Sequence, residues 1–374
     1  MDDRIFSAKL GKPIPEWDNA HRLPISGWVG PDCKDSATIF QINSTFMEVT
    51  EQSHMIRQWF AGGIVVAVLM TTGMAMLMVG ALRIVSEKGW PIGGLFSLMI
   101  PILGFLGFGA IACHFGCKEF FARKIYPLRF NRRTKKVYAL VRALSDNASN
   151  NESNFMEEIE WSDQSVFCIH RADQDGVHYW IRYYKVDASG LVQKVVAIGR
   201  DWEGDDGIEE LIAQWNYWCW YMSRGPADLP KPCLYLAKDE KLRESFLYCL
   251  YEMGFQESVT FRVAAMPVVL MLTFFRAFAI FTCVLPKWPA YVEENCRVDP
   301  DDPFDEPRAG TPVGWYATNL AIFAGAYPAG DQKKIDDWIG ETDGKRNAQQ
   351  WAEDKFIAHI RSESRNMMSD GEET

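Results

Sequence analysis

Residues 59–82 read "WFAGGIVVAVLMTTGMAMLMVGAL" and residues 89–117 read "GWPIGGLFSLMIPILGFLGFGAIACHFGC", and neither run contains an Asp, Glu, Lys or Arg. Each is longer than the roughly 20 apolar residues that carry a helix across about 30 Å of hydrocarbon. Two transmembrane helices are expected. Only "RIVSEKGWP" (83–91) separates the charge-free cores, so the pair should form a tight antiparallel hairpin over 58–117. Arg83 stands at the end of its run, where a long side chain can snorkel to the headgroups. Gly63, Gly93 and Gly109 each precede a small residue by four positions (Ala67, Ser97, Cys113), a spacing that lets helices pack closely within the hairpin or against another copy.

The chain after the second run, "KEFFARKIYPLRFNRRTKKVY" (118–138), sets eight Lys and Arg against one acid. An excess of Lys and Arg beside a span marks its cytoplasmic side. The hairpin tip offers only Arg83 and Lys88, so both ends of the hairpin are expected in the cytoplasm. A second use of the same charges is a grip on anionic lipid headgroups by Arg129, Arg132, Arg133, Lys135 and Lys136, each near-surface charge adding about 1 kcal/mol. Nucleic acid is excluded as a partner by the formal net charge of −10, because a duplex-binding protein carries a dominant basic surface. The start, "MDDRIFSAKL", lacks a basic stretch followed by an apolar one, so no cleavable signal peptide is expected and the hairpin does the targeting. Nine cysteines without a framework fit reduced thiols facing the cytosol.

Around the hairpin the patterning is mixed. Residues 1–57 form an N-terminal cytoplasmic segment, loop-like at 14–32 and with short β-like alternation at 36–52. Residues 118–230 are expected to form a β-rich cytoplasmic domain, with strands in "PLRFNRR", "KKVYALVRAL", "FMEEIEW", "SVFCIH", "GVHYWIRYYKV" and "LVQKVVAIGR". A polar turn at 131–134, a loop at 145–154 and a hairpin turn "DASG" at 187–190 separate them. A helix follows, with Asp205 or Asp206 as cap, Glu209 and Glu210 in its first turn and "RGP" (224–226) as its stop. Ile208, Leu211, Ile212, Trp215, Trp218, Cys219 and Met222 form its apolar face. Trp220 and Tyr221 lie off that face and are candidates for contact with a partner. Antiparallel strands closed by one long helix are the pattern of a pleckstrin-homology-like module.

Residues 231–374 read as a helical C-terminal region with an apolar segment at 263–285 and an acidic, polar tail. That segment holds Arg276 in its middle and Pro267 near its start. A charge at mid-bilayer costs roughly 2.5–3.5 kcal/mol on insertion scales, so a true span requires a buried partner for Arg276. A third crossing would also send the acidic tail across the membrane. A helix docked on the cytoplasmic side is the expectation. Trp288, Asp299, Asp301 and Asp302, in "LPKWPAYVEENCRVDPDDP" (285–303), complete the candidate partner surface.

No GxSxG elbow, HExxH helix or GxxxxGK[ST] loop occurs, and no catalytic, cofactor or metal residue is assigned. The expected class is an α+β membrane protein: a transmembrane hairpin, an antiparallel β domain closed by a helix, and a helical C-terminal region. "IFQINSTFMEV", the double span, "RFNRRTKKVY", "IEWSD", "WNYWCWYMSRGPADLP" and "LPKWPAYVEENCRVDPDDP" together resemble an uncharacterised family of bacterial inner-membrane proteins often encoded beside type VI secretion effectors. The resemblance covers about 39–303 and transfers no catalytic residue. It implies interbacterial competition, with the chain as a non-enzymatic immunity or accessory protein whose partner is a cognate toxic effector. A membrane-acting toxin and a lipid-responsive scaffold are the alternatives.

Overall fold

The computed structural model describes residues 10–305, apart from 27, 31, 37, 51–56, 89–91, 122–124, 141–155, 174–175, 205–206, 231, 233–235, 237, 239 and 253–258. The expected cap at Asp205 or Asp206, the 145–154 loop and the tail beyond 305 lie outside the described residues. The chain folds as two units, one of 1–52, 125–238 and 287–374, the other of 53–124 and 239–286. This division differs from a linear succession of segments. The second unit is spliced into the first at two places.

The first unit contains α1 (Glu16–Ala20), β1 (Ile39–Ile42), β2 (Phe46–Val49), β3 (Leu128–Asn131), β4 (Lys136–Leu140), β5 (Met156–Glu160), β6 (Val166–Ala172), β7 (His178–Val186), β8 (Val192–Glu203) and α4 (Gly207–Arg224). Strands β1 to β5 form one antiparallel sheet in chain order, and β6 to β8 form another. β2 pairs directly with β3, Phe46 opposite Asn131 and Val49 opposite Leu128. The N-terminal residues are therefore not a separate segment. They supply two strands of the sheet, and the whole apolar hairpin is inserted between neighbouring strands.

α4 is buried on every side, which corrects the expectation of a single apolar face. Trp215 and Trp218 meet Phe130, Trp161 and Phe167 from the sheets. On the other side the N-terminal chain covers it. Trp28 meets Trp220 edge to face, Asn216 Oδ1 accepts from Val29 N at 3.1 Å, Trp215 Nε1 donates to Pro24 O, and Tyr221 Oη donates to Asn43 O at 2.8 Å. Trp220 and Tyr221 are thus core residues, each fully buried. Polar atoms on this helix are tolerable only because such bonds replace water.

In the second unit, α2 (Arg57–Lys88) and α3 (Ile92–Glu119) are the expected hairpin. The 32 residues of α2 span about 48 Å at 1.5 Å per residue. α5 (Leu242–Glu252) and α6 (Val259–Thr282) complete the unit. Within the expected helical region 231–374, the described residues before the apolar segment are helical at α5, and the apolar segment forms α6. Among the described residues three stretches, in α2, α3 and α6, are long and apolar enough to cross a membrane.

The "DASG" turn joins β7 to β8, with Gly190 at φ +79° and open space around it. Gly199, at φ +80°, lies under Trp218, and a Cβ there would stand 2.6 Å from the indole. Gly199→Ala should combine backbone strain with overpacking, roughly 3 kcal/mol or more, whereas Gly190→Ala should cost about 1 kcal/mol. Denaturant unfolding followed by tryptophan fluorescence separates the two.

Candidate functional site

The strongest polar constellation in the first unit is centred on Arg129. It stands opposite Glu48 across the β2–β3 ladder. Its Nε and Nη2 lie 2.8 and 2.7 Å from Glu48 Oε2, while Lys238 Nζ takes Oε1 at 2.9 Å. Glu293, in α7 (Ala290–Asn295), adds a carboxylate at 3.4 Å. The guanidinium is held between the Phe46 and Trp288 rings, each centroid 4.6 Å away. Burial works against the Arg129 charge, but the Glu48 and Glu293 carboxylates outweigh it and raise the pKa above the ordinary arginine value. The Glu48 and Arg129 side chains are only 2% and 4% exposed.

The rest of the basic turn is drawn into the fold as well. Arg132 donates to Arg224 O at 3.3 Å, Arg133 pairs with Asp299 at 2.6 Å, Lys135 reaches Met222 O, and Lys136 pairs with Glu158. The acidic stretch after α7 is a strap over β1 and β2. Asp302 accepts from Ser44 N and Oγ at 2.8 and 2.9 Å, and Asp305 accepts from Gln41 Nε2 at 2.9 Å. Among the proposed partner residues, Trp288 packs on Arg129 and Asp302 is half-buried, whereas Asp299 and Asp301 remain exposed. Among the described residues no cluster of His, Cys, Asp or Glu could hold a metal ion.

In the second unit the apolar surface points outward. Val66, Leu69, Met76 and Leu77 on α2 and Ile100, Leu103 and Leu106 on α3 are exposed. At one end, Arg57, the first residue of α2, pairs at 3.2 Å with Glu119, the last of α3. Arg276 joins this base. Its Nε and Nη2 donate to the two oxygens of Glu240 at 2.6 and 2.9 Å, Nη1 donates to Gln58 Oε1 at 2.8 Å, and the Tyr248 ring lies 3.9 Å below it. The buried partner that Arg276 requires is therefore Glu240, 36 positions earlier.

The close helix contacts fall at glycines other than those singled out by spacing. A Cβ on Gly62 would meet Phe275 at 2.9 Å, and one on Gly104 would meet Met74 at 2.9 Å. Gly63 has open space, Gly109 only an ordinary contact with Thr71, and the surroundings of Gly93 lie outside the described residues.

The model of a family of unknown function, DUF6708, matches residues 108–300, just over half of the chain. The chain belongs to that family. The DUF6708 match runs from within α3 to just past α7, so it includes Arg129, Glu240, Arg276 and Glu293 but not the β2 strand that supplies Glu48. No curated protein and no solved structure matches the chain.

Two contrasts test these assignments. Arg129→Met leaves Glu48 buried beside Lys238 alone and should cost about 3–5 kcal/mol, while Arg133→Ala, which breaks a half-exposed pair, should cost under about 1 kcal/mol. Chemical unfolding of the two variants reads the difference. Likewise Arg276→Met should destabilise the second unit by about 3–5 kcal/mol, and adding Glu240→Gln should restore part of the loss. Thermal unfolding in detergent measures that recovery.

Proposed function

We propose that this protein is a membrane-anchored, non-enzymatic binding protein: α2 and α3 cross the bacterial inner membrane, and the first unit is held on the cytoplasmic side as a docking domain. The observation that carries the reading is the outward-facing apolar hairpin inserted between two paired strands of a well-bonded antiparallel domain. The hairpin begins and ends in that domain, so its two crossings leave all of the domain's mass on one side. The eight Lys and Arg of 118–138 support the cytoplasm as that side. Two antiparallel meanders followed by α4 support the pleckstrin-homology-like reading of the domain.

The partner we propose is a toxic effector of a type VI secretion system, with this chain as its immunity or accessory protein. The sequence resemblance supports that class of partner. The net charge of −10, with Asp301 exposed, suits a basic protein surface. A lipid-responsive scaffold has weaker support, because Arg129 is buried and Arg132, Arg133, Lys135 and Lys136 are bonded within the domain.

Coexpression with the adjacent effector gene in a sensitive host tests the proposal. Restored growth and copurification of the two chains are expected. Absence of both would overturn it, and growth arrest by this chain alone would favour the membrane-acting toxin.

A further inference from the structure

Phe121, at the foot of the hairpin, combines a strained backbone with an exposed ring. α3 ends at Glu119 and Phe120 still donates its N–H to Gly116 O at 2.8 Å, so Phe121 holds the place after the helix end where glycine is the usual residue. Its φ of +64° is left-handed, a conformation that bulky side chains rarely adopt. Packing within the chain does not account for it. Phe120 turns inward onto Phe278 and the cluster of Ala61, Ile64 and Ala279, whereas Phe121 is 79% exposed. Strain kept for the sake of an outward ring points to something outside the fold.

Three more exposed aromatics stand at this end of the unit. Thr71 faces Gly109 and Ile64 faces Gly116, so seven residues down α2 match seven up α3, and five more on each bring Trp59 level with Phe121. Trp59 and Phe60 are exposed, and no aromatic residue follows them in α2. The large apolar side chains exposed farther along that helix are all aliphatic or Met. Phe281 is 87% exposed, and its place is fixed by Cys283, whose Sγ accepts from Arg57 Nη1 at 2.9 Å and donates to Glu119 O at 3.1 Å. The polar groups at the foot are paired with one another, Arg57 with Glu119 and Arg276 with Glu240 and Gln58.

We propose that Trp59, Phe60, Phe121 and Phe281 form an aromatic collar seated among the lipid headgroups, which fixes how deeply the hairpin stands in the bilayer. This rests on the reading of α2 and α3 as membrane-crossing. Indole and phenyl rings at a helix end suit the boundary between acyl chains and headgroups, where an apolar body meets polar surroundings. Lipid is the occupant because the collar is continuous with the exposed aliphatic faces of α2 and α3. The spacing agrees. From Trp59 to Arg83 is about 36 Å of helix, the ~30 Å of hydrocarbon with a margin at each end. Trp59 is also the one tryptophan exposed among the described residues. The left-handed turn at Phe121 then has a reason: it sends one ring of the Phe120–Phe121 pair into the fold and the other to the interface.

The test uses the full chain in vesicles of three parts phosphatidylcholine to one part phosphatidylglycerol. Bimane is attached at Phe121→Cys, at Phe281→Cys and, near the middle of α2, at Leu69→Cys, with the parent chain labelled in parallel as background. A spin label at acyl carbon 5 should quench positions 121 and 281 more strongly than one at carbon 16, and the order should reverse at 69. In detergent, Phe121→Gly should unfold at or above the temperature of the parent, because glycine relieves the left-handed strain and no internal packing is lost. Quenching at 69 with 121 and 281 unquenched, or quenched best from carbon 16, would overturn the collar alone. So would a lower unfolding temperature for Phe121→Gly, which would make the ring a packing residue. Loss of quenching at 69 would overturn the membrane reading beneath it.

Discussion

One buried ion pair holds together chain segments that the sequence keeps far apart. Glu48 lies before the first insertion and Arg129 after it. Lys238 lies before the second insertion, and Trp288 and Glu293 lie after it. Glu48, Glu293 and Trp288 meet around the Arg129 guanidinium, and Lys238 joins through Glu48. Every boundary between the two units is thus tied to one cluster, which reinforces the pairing of β2 with β3 across the insertion 53–124. Closing so long a loop is entropically costly only to the extent of a logarithm, so a two-strand ladder reinforced by a desolvated pair suffices. Burial of these charges is tolerable because both Glu48 oxygens are taken, and because two aromatic faces replace water around the cation.

The same economy governs α4. A helix with Trp215, Trp218, Trp220, Tyr217 and Tyr221 could have been expected to show one face to the core and another to solvent. Instead the N-terminal chain forms a second layer over it, and Gln214 and Asn216 bond Thr38, Val29 and Asp32 across that layer. The aromatic content is explained by enclosure. A helix packed from all sides gains most from large side chains, and Trp215, Tyr217 and Tyr221 donate their polar hydrogens to Pro24 O, Pro230 O and Asn43 O.

What could be read from the sequence follows from range. The apolar runs, the strands between 127 and 203, the "DASG" turn and the extent of α4 are set by local periodicity and by Gly and Pro, and they fall where the pattern expects them. The sheet partners of 39–49 lie beyond the hairpin, so local alternation alone could not assign those residues to the β domain. Trp220 and Tyr221 were legible as off the main apolar face, but the layer that covers them comes from residues 28 and 43. Counting charges located the basic turn and could not reveal that Arg129 is buried. A signal existed there: Glu48 alternates with apolar residues in "FMEV", as Arg129 does in "LRF", and two opposite charges in equivalent strand positions suggest a cross-strand pair.

In the proposed orientation the basic turn has two tasks, separated in time. The topology of a span is decided during insertion, before the flanking segment folds, when the eight cations of 118–138 would be free to act. Once β3 and β4 join the sheet, Arg129 is enclosed and Arg133 and Lys136 meet Asp299 and Glu158. The charges that would orient the hairpin are then used as structural cations, so their engagement in the folded domain does not argue against a role in orientation. It argues against a standing grip on lipid headgroups, because a residue such as Arg129 would have to abandon Glu48, Phe46 and Trp288 to reach one. In the proposed orientation, the stretch serves insertion first and the fold afterwards.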